Sequence, residues 1–300
     1  MWFKNLRVYR LAPNWAYGSL GLQSSLERLQ FTPAGACDMT AFGWVPPRPD
    51  TGLVYAQDDQ LLIALRIEKK LLPASVVDQF ARAKAREIEE HQGYKPGRKQ
   101  MKEIKEQVTD ELLPKAFSSY RDTRVWIDTR NRWLVVDTAS SAVADAVLGA
   151  VAKVLDPFPI APLYTEYSPA VAMTNWLVWD EPPTNFSIDQ DTELQSNRES
   201  AAKVRYQRLC VDLDDIRKHV EAGRTCTRLA LTWADRVSFV LTDGLEVRRI
   251  APLDVLQQGR QMAETEADQF DSDFALMTGE LSRLLGDLVE ALGGEKETTQ

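Results

Sequence analysis

Two histidines and three cysteines are the scarce residues that could do chemistry in this 300-residue chain. His91 and His219 lie in different segments, and neither belongs to an HExxH-like spacing that could hold a metal. His91 ends a charged helix, where a solvated surface residue is the expectation. Cys37, Cys210 and Cys226 form no metal-like or redox pair spacing, and Cys210 and Cys226 read as small hydrophobes in or beside strands. Nucleophile elbows, phosphate-cradling glycine loops and dinucleotide fingerprints are absent from the sequence. Carboxylates remain. Asp212 with Asp214 and Asp215, and Asp271 with Asp273, could place oxygen ligands on a hard cation and so support a nuclease. The competing reading is structural: acids at the start of a helix cap free N–H groups and favour the dipole.

Cations give a clearer signal. The chain carries 36 Lys+Arg against 44 Asp+Glu, a formal charge of −8. The balance is uneven. Residues 66–132 hold 16 basic against 11 acidic residues, whereas residues 243–300 hold 5 against 13. Between Arg82 and Lys105 there are eight Lys/Arg and four Glu. Arg98, Lys102 and Lys105 recur at i, i+4 and i+7 with Lys99 beside them, and Lys95 lies just before. At the helical step they share an arc roughly 120° from the Met101/Ile104/Val108 seam. Such a stripe suits phosphates, because lysine and arginine displace counterions from a polyanion whatever its base sequence. A solvated face with Glu–Lys pairs is the plain alternative. Arg205 and Arg208 form a second basic pair on a strand; three residues apart, they point to opposite faces.

The elements that position these residues follow from periodicity. Residues 2–11 alternate as a strand, residues 19–30 form a short amphipathic helix, and strands follow at 53–57 and 60–68 around an Asp58-Asp59 turn. Ser75 reads as the cap of a helix with Val77, Phe80, Ala81, Lys84 and Ile88 at helical spacing. Gly93-Tyr94-Lys95-Pro96-Gly97 breaks it, and a second helix runs from about 98 to 115 with Met101, Ile104, Val108 and Leu112 as its seam. The pair makes an αα-hairpin, expected to project as a finger. Phe117, at its end, is either an exposed ring or the residue that closes the hairpin base.

Strands at 124–128 and 132–137, a helix at 140–155 and a short helix at 168–178 come next. Strands at about 203–210, 228–233, 237–241 and 245–250 surround a helix at 214–222, and the pattern is helical from Leu253 onward. Phe270, Phe274, Met277, Leu281, Leu284, Leu288 and Leu292 form its apolar seam. The fold expected is α+β, elongated and multi-lobed, with antiparallel sheets, a projecting hairpin and a long carboxy-terminal helix. Residues 1–74 and 118–179 form a central domain, 75–117 a helical tip and 180–300 a carboxy-terminal domain. Residues 1–7 lack the long apolar core of a signal peptide, and no run is long enough for a membrane helix. With sparse cysteines, this leads to an expected cytoplasmic protein.

Taken in order, several motifs resemble the bacterial recombination-associated protein RdgC family. They are Trp2–Leu6 with Val8–Leu11, Phe31–Pro33, Gly43–Pro47, Leu71–Pro73, Leu112–Ser118, Trp126–Thr129, Glu221–Gly223, and above all Asp273–Leu281 with Leu292–Glu295. The resemblance covers essentially the whole chain. It implies crescent monomers paired into a ring-shaped dimer in the nucleoid. The dimer would bind single- and double-stranded DNA without marked sequence preference and restrain the RecA recombinase, without catalytic activity or cofactor. The tip would be where two subunits meet, with Phe117 in that contact, and a basic central hole would face DNA.

Overall fold

The computed structural model describes residues 1–13, 15–196, 202–207, 213–256 and 265–296. Among them the chain runs β1 (Asn5–Leu11), α1 (Ser19–Leu26), β2 (Thr40–Val45), β3 (Tyr55–Gln57), β4 (Gln60–Lys70), α2 (Ala74–Gln92), α3 (Arg98–Leu112), β5 (Ser118–Asp128), β6 (Trp133–Asp137), α4 (Ser141–Val154), β7 (Ile160–Pro162) and α5 (Pro169–Trp179). It continues with β8 (Phe186–Ser196), β9 (Lys203–Tyr206), α6 (Leu213–Glu221), β10 (Arg224–Trp233), β11 (Val237–Thr242), β12 (Val247–Pro252) and α7 (Glu266–Ala291). The α+β class is as expected. The several sheets expected are one: twelve strands in the order β2-β4-β5-β6-β1-β12-β11-β10-β8-β9, with β3 on β4 and β7 on β1. Every strand pair is antiparallel.

Alternation along the central strands divides the core between the two faces of that sheet. Leu61, Ile63 and Leu65 of β4, Val125 and Ile127 of β5, and Leu134 and Val136 of β6 pack with Leu22 and Leu26 of α1 and Val147, Val151 and Val154 of α4. Their neighbours Leu62, Trp126, Trp133 and Val135 face the other way, toward α7. The same layer receives Leu229, Leu231, Leu241 and Val247 from β10–β12 and Met173 and Leu177 from α5. The seam of α7 therefore goes into its own fold, with Phe274, Met277, Leu281, Leu284, Leu288 and Leu292 buried. Among the described residues two helix starts carry side-chain caps: Ser168 Oγ accepts from Val171 N at 3.3 Å, and Thr265 Oγ1 from Asp268 N at 3.1 Å.

Several expectations change. Pro73, not Ser75, occupies the cap of α2, and Ser75 lies within the first turn. Phe80 is 49 % exposed, while Ala81 and Ala85 are buried. The contact stripe of α2 is narrow, and Phe80 sits one helical step to its side. The carboxy-terminal helix begins at Glu266, after a 3₁₀ turn at Asp254–Leu256. Strands β2 and β8 were not expected. In β2, Gly43 interrupts the pattern for a reason: a Cβ there would lie 2.5 Å from the Cα of Phe31. That close approach accompanies the Gln30–Trp44 bridge.

Candidate nucleic-acid interface

The α2–α3 hairpin is built around small side chains. Ala81 and Ala85 meet Ile104 and Val108, flanked by the partly buried Val77, Ile88, Met101 and Leu112. Gly93 ends α2 in the left-handed conformation, φ 78°, and its N–H bonds Glu89 O at 2.8 Å. Two ion pairs tie the helices together, Lys84 to Glu111 and Lys105 to Asp78, each at 2.6 Å. The hydrogen bond and charge of Lys105 hold the Asp78 carboxyl below its ordinary range.

Lys105 is thus turned across the hairpin. Lys95, Arg98, Lys99 and Lys102 are exposed. Lys102 is 80 % exposed and meets Glu106 at 3.7 Å. The sequence-derived stripe is present on the surface, with Lys105 also holding the two helices together.

At the hairpin base the structure adds residues that sequence reasoning missed. Lys70, 7 % exposed, donates to the carbonyls of Gly35 at 2.9 Å, Ala36 at 3.3 Å and Leu113 at 3.2 Å. Its neighbour Glu68, 2 % exposed, accepts from Ser118 Oγ at 2.5 Å and Ala34 N at 2.7 Å. Those hydrogen bonds hold its carboxyl below the usual range. Both residues follow the strand pattern of β4, so nothing local in the sequence marks them as a clamp. The side chain that closes the base is Leu113, at 2 % exposure; Phe117 stands out at 84 %. Leu71 is exposed on the neighbouring strand end, and Met39 is exposed on the strand end beyond it. Leu71 N donates to Phe117 O at 2.7 Å, and Lys70 N to Met39 O at 2.9 Å.

Arg205 lies on β9 opposite Glu193 of β8, which in turn faces Arg228 of β10. Glu193, 3 % exposed, accepts from Arg205 Nε at 3.0 Å. Lys203 stands at 3.5 Å and Arg228 at 4.0 Å. Burial alone would raise this carboxyl, but the Arg205 hydrogen bond and the charges of Arg228, Lys203 and Arg205 outweigh it and hold it below its ordinary range. A depressed folded-state value stabilises the fold above the unfolded-state value and is lost as pH falls through the folded one. The melting temperature of Glu193→Gln is therefore expected below wild type at pH 7, with the gap closing under acid. A gap of constant size from pH 7 to about pH 3 would mean that the carboxylate charge contributes nothing. Arg208, Cys210 and Asp212 lie outside the described residues.

The other acids are engaged in structural pairs. Asp214 meets Arg217 at 3.3 Å and Asp215 meets Lys218 at 3.0 Å within α6. Asp271 accepts from Arg48 Nη1 at 2.5 Å and from the Tyr55 hydroxyl at 2.7 Å. Asp273 accepts from the Met1 amino group and from Gln269 Nε2 at 2.8 Å. Among the described residues no group of three or more His, Cys, Asp or Glu could hold a metal ion. His91 is exposed. His219 bridges Tyr206 and Arg224, each at 2.9 Å. Cys226 is buried, its thiol pushed up to about 12 by desolvation. No helix among the described residues is long and apolar enough to cross a membrane.

Known sequences match this chain along nearly its whole length. A family model described as "Putative exonuclease, RdgC" matches residues 1–295. A recombination-associated protein RdgC of Bordetella parapertussis is 58 % identical over 297 residues, 99 % of each chain. One from Cupriavidus necator is 55 % identical over 298 residues, covering 99 % of this chain and all of the relative. One from Herminiimonas arsenicoxydans is 52 % identical over 297 residues, 99 % of each.

Proposed function

The chain belongs to the RdgC family, and on that premise we propose that it is a non-catalytic DNA-binding protein of the bacterial cytoplasm and nucleoid. Two copies close into a ring that encircles or lies against single- or double-stranded DNA and limits the access of a RecA-type recombinase. Residues 75–117 act as a projecting tip, with residues 1–74 and 118–179 as the centre and 180–300 as the base. The observation that carries this reading is the exposed set Lys95, Arg98, Lys99 and Lys102 on the hairpin of a protein whose net charge is −8. A net-acidic protein is not drawn to a polyanion by bulk charge, so attraction must come from a local surface. Encirclement supplies persistence and phosphate contacts supply affinity without sequence preference.

A metal-dependent nuclease is the second reading, favoured by the word exonuclease in the family description. Asp214, Asp215, Asp271 and Asp273 would have to leave their present partners to serve it. One experiment separates the two. Purified protein is incubated with labelled single- and double-stranded DNA in Mg²⁺ or Mn²⁺. A retarded, intact substrate is the expected result; metal-dependent cleavage products would transfer the assignment to the nuclease.

A further inference from the structure

Strand β12, which lies between β1 and β11 in the sheet, carries an irregularity that changes which side chains it presents. Val240 of β11 opposes Arg248, but Ser238 opposes Ala251, so β12 uses one more residue than β11 between these pairs. The extra residue makes a β-bulge. Val247 and Ile250 both point into the core. Arg248 and Arg249 lie between them, and Arg249 takes the left-handed backbone, φ 54°, which is uncommon for a side chain of this kind. In a regular strand consecutive residues face opposite sides. Here the bulge brings Arg249 round beside Arg248, and its guanidinium stands 3.7 Å from Asp191 of β8.

Both arginines line a cleft of about 220 Å³ on this face, together with Arg205 and Arg228. Four arginines meet two carboxylates there, Glu193 and Asp191. Glu193 is engaged by Arg205, Arg228 and Lys203 at once. Arg248 Nη2 reaches Glu246 and, at 3.4 Å, the carbonyl of Ala139 just before α4. Its Nε is buried and has no hydrogen-bond partner among the described residues. The carboxylates hold the forks in position without matching their charge. Planar guanidinium forks pair with phosphate oxygens through two parallel N–H bonds. The left-handed backbone of Arg249 is held by the bulge, which fixes the direction of its side chain.

We propose that this cleft receives one phosphate of a nucleic-acid backbone, at a place separate from the hairpin stripe. The inference rests on the DNA-binding reading and adds a second contact to it; free inorganic phosphate is the other source of the same chemistry. The test uses the full chain, wild type and Arg249→Gly, with a fluorescently labelled duplex titrated over a series of salt concentrations. Glycine accepts the left-handed backbone and removes only the fork. The variant is expected to bind about three- to tenfold more weakly at the lowest salt, with a log–log salt slope smaller by about 0.9, the value for one phosphate contact. Its melting temperature is expected to equal or exceed that of wild type, because the strain is relieved. Wild-type affinity and slope in the variant would overturn the proposal. If wild type itself fails to bind the duplex, the DNA reading falls, and inorganic phosphate added at constant ionic strength decides. A rise in melting temperature in wild type but not in Arg249→Gly supports the cleft for the free anion, and no difference between the two overturns it.

Discussion

Reversing Arg98, Lys99 and Lys102 together to Glu is expected to weaken duplex binding by about a hundredfold or more at low salt and to flatten the salt dependence. All three are exposed on α3. The substitution turns three counterion-releasing contacts into three repulsive ones, so the loss should be the same for any base sequence. Lys105 is left in place because a carboxylate there would oppose Asp78, to which Lys105 is bonded at 2.6 Å. Helix physics separates binding from folding in this variant. Arg98 and Lys99 occupy the first turn of α3, which holds no acidic residue. Positive charge at a helix amino terminus opposes the dipole, at a cost of roughly 0.3–1 kcal/mol per residue, while Glu there is favourable. Cations in this turn therefore serve something other than helix stability. The gain at the helix start is offset by the lost Lys102–Glu106 pair, so the triple variant should melt close to the wild-type temperature while losing its DNA. Retention of both affinity and salt slope, measured by anisotropy, would reduce the hairpin to a scaffold.

The elements that announce themselves by period were the legible ones. The steps of four and three from Phe270 to Leu292 placed α7 and its buried side correctly, because a 26-residue helix samples its period many times. The same holds for Ile104 and Val108 in α3 and for the paired strands expected at 237–241 and 245–250. β8 was not legible. Asp189, Asp191 and Glu193 are residue types depleted in strands, and an exposed Gln190 and a buried Glu193 break the simple alternation of Phe186, Ile188 and Leu194. β2 was hidden by Gly43, which reads as a breaker until Phe31 is seen against it. Of the candidate surface, the basic stripe could be read from spacing, but the partner that draws Lys105 aside is 27 residues away in sequence. The burial of Glu68 and Lys70 depends on loops and strand ends more than thirty residues distant. Val247-Arg248-Arg249-Ile250 carries no sign of a bulge, since only its pairing with β11 reveals the extra residue. Long-range pairing, not local propensity, decides these positions.

Replacing Phe117 by Ser is expected to weaken association of the two copies by about thirtyfold or more while leaving the monomer as stable as before. An aromatic ring 84 % exposed contributes little to the packing of its own chain. Leu71, whose N–H bonds the Phe117 carbonyl, is 54 % exposed, and Met39 on the next strand end is 41 % exposed. An exposed aromatic flanked by apolar neighbours has the composition of an interface centre, where one truncated ring commonly costs about 2 kcal/mol or more of binding. Leu113 provides the contrast. It is buried at the hairpin base, so Leu113→Ala should lower stability by about 2–5 kcal/mol, the usual cost of a core cavity. Sedimentation velocity and thermal melting distinguish the two roles. Phe117→Ser should shift the oligomer distribution at unchanged melting temperature; Leu113→Ala should lower the melting temperature. The proposed ring would have two closures, so loss of one would open it without separating the copies. Persistence on closed circular DNA then becomes the sensitive readout, because a topological link is lost even when local phosphate contacts remain. An unchanged tight dimer with unchanged DNA binding would remove Phe117 from the contact and leave the exposed ring at the hairpin base without a partner.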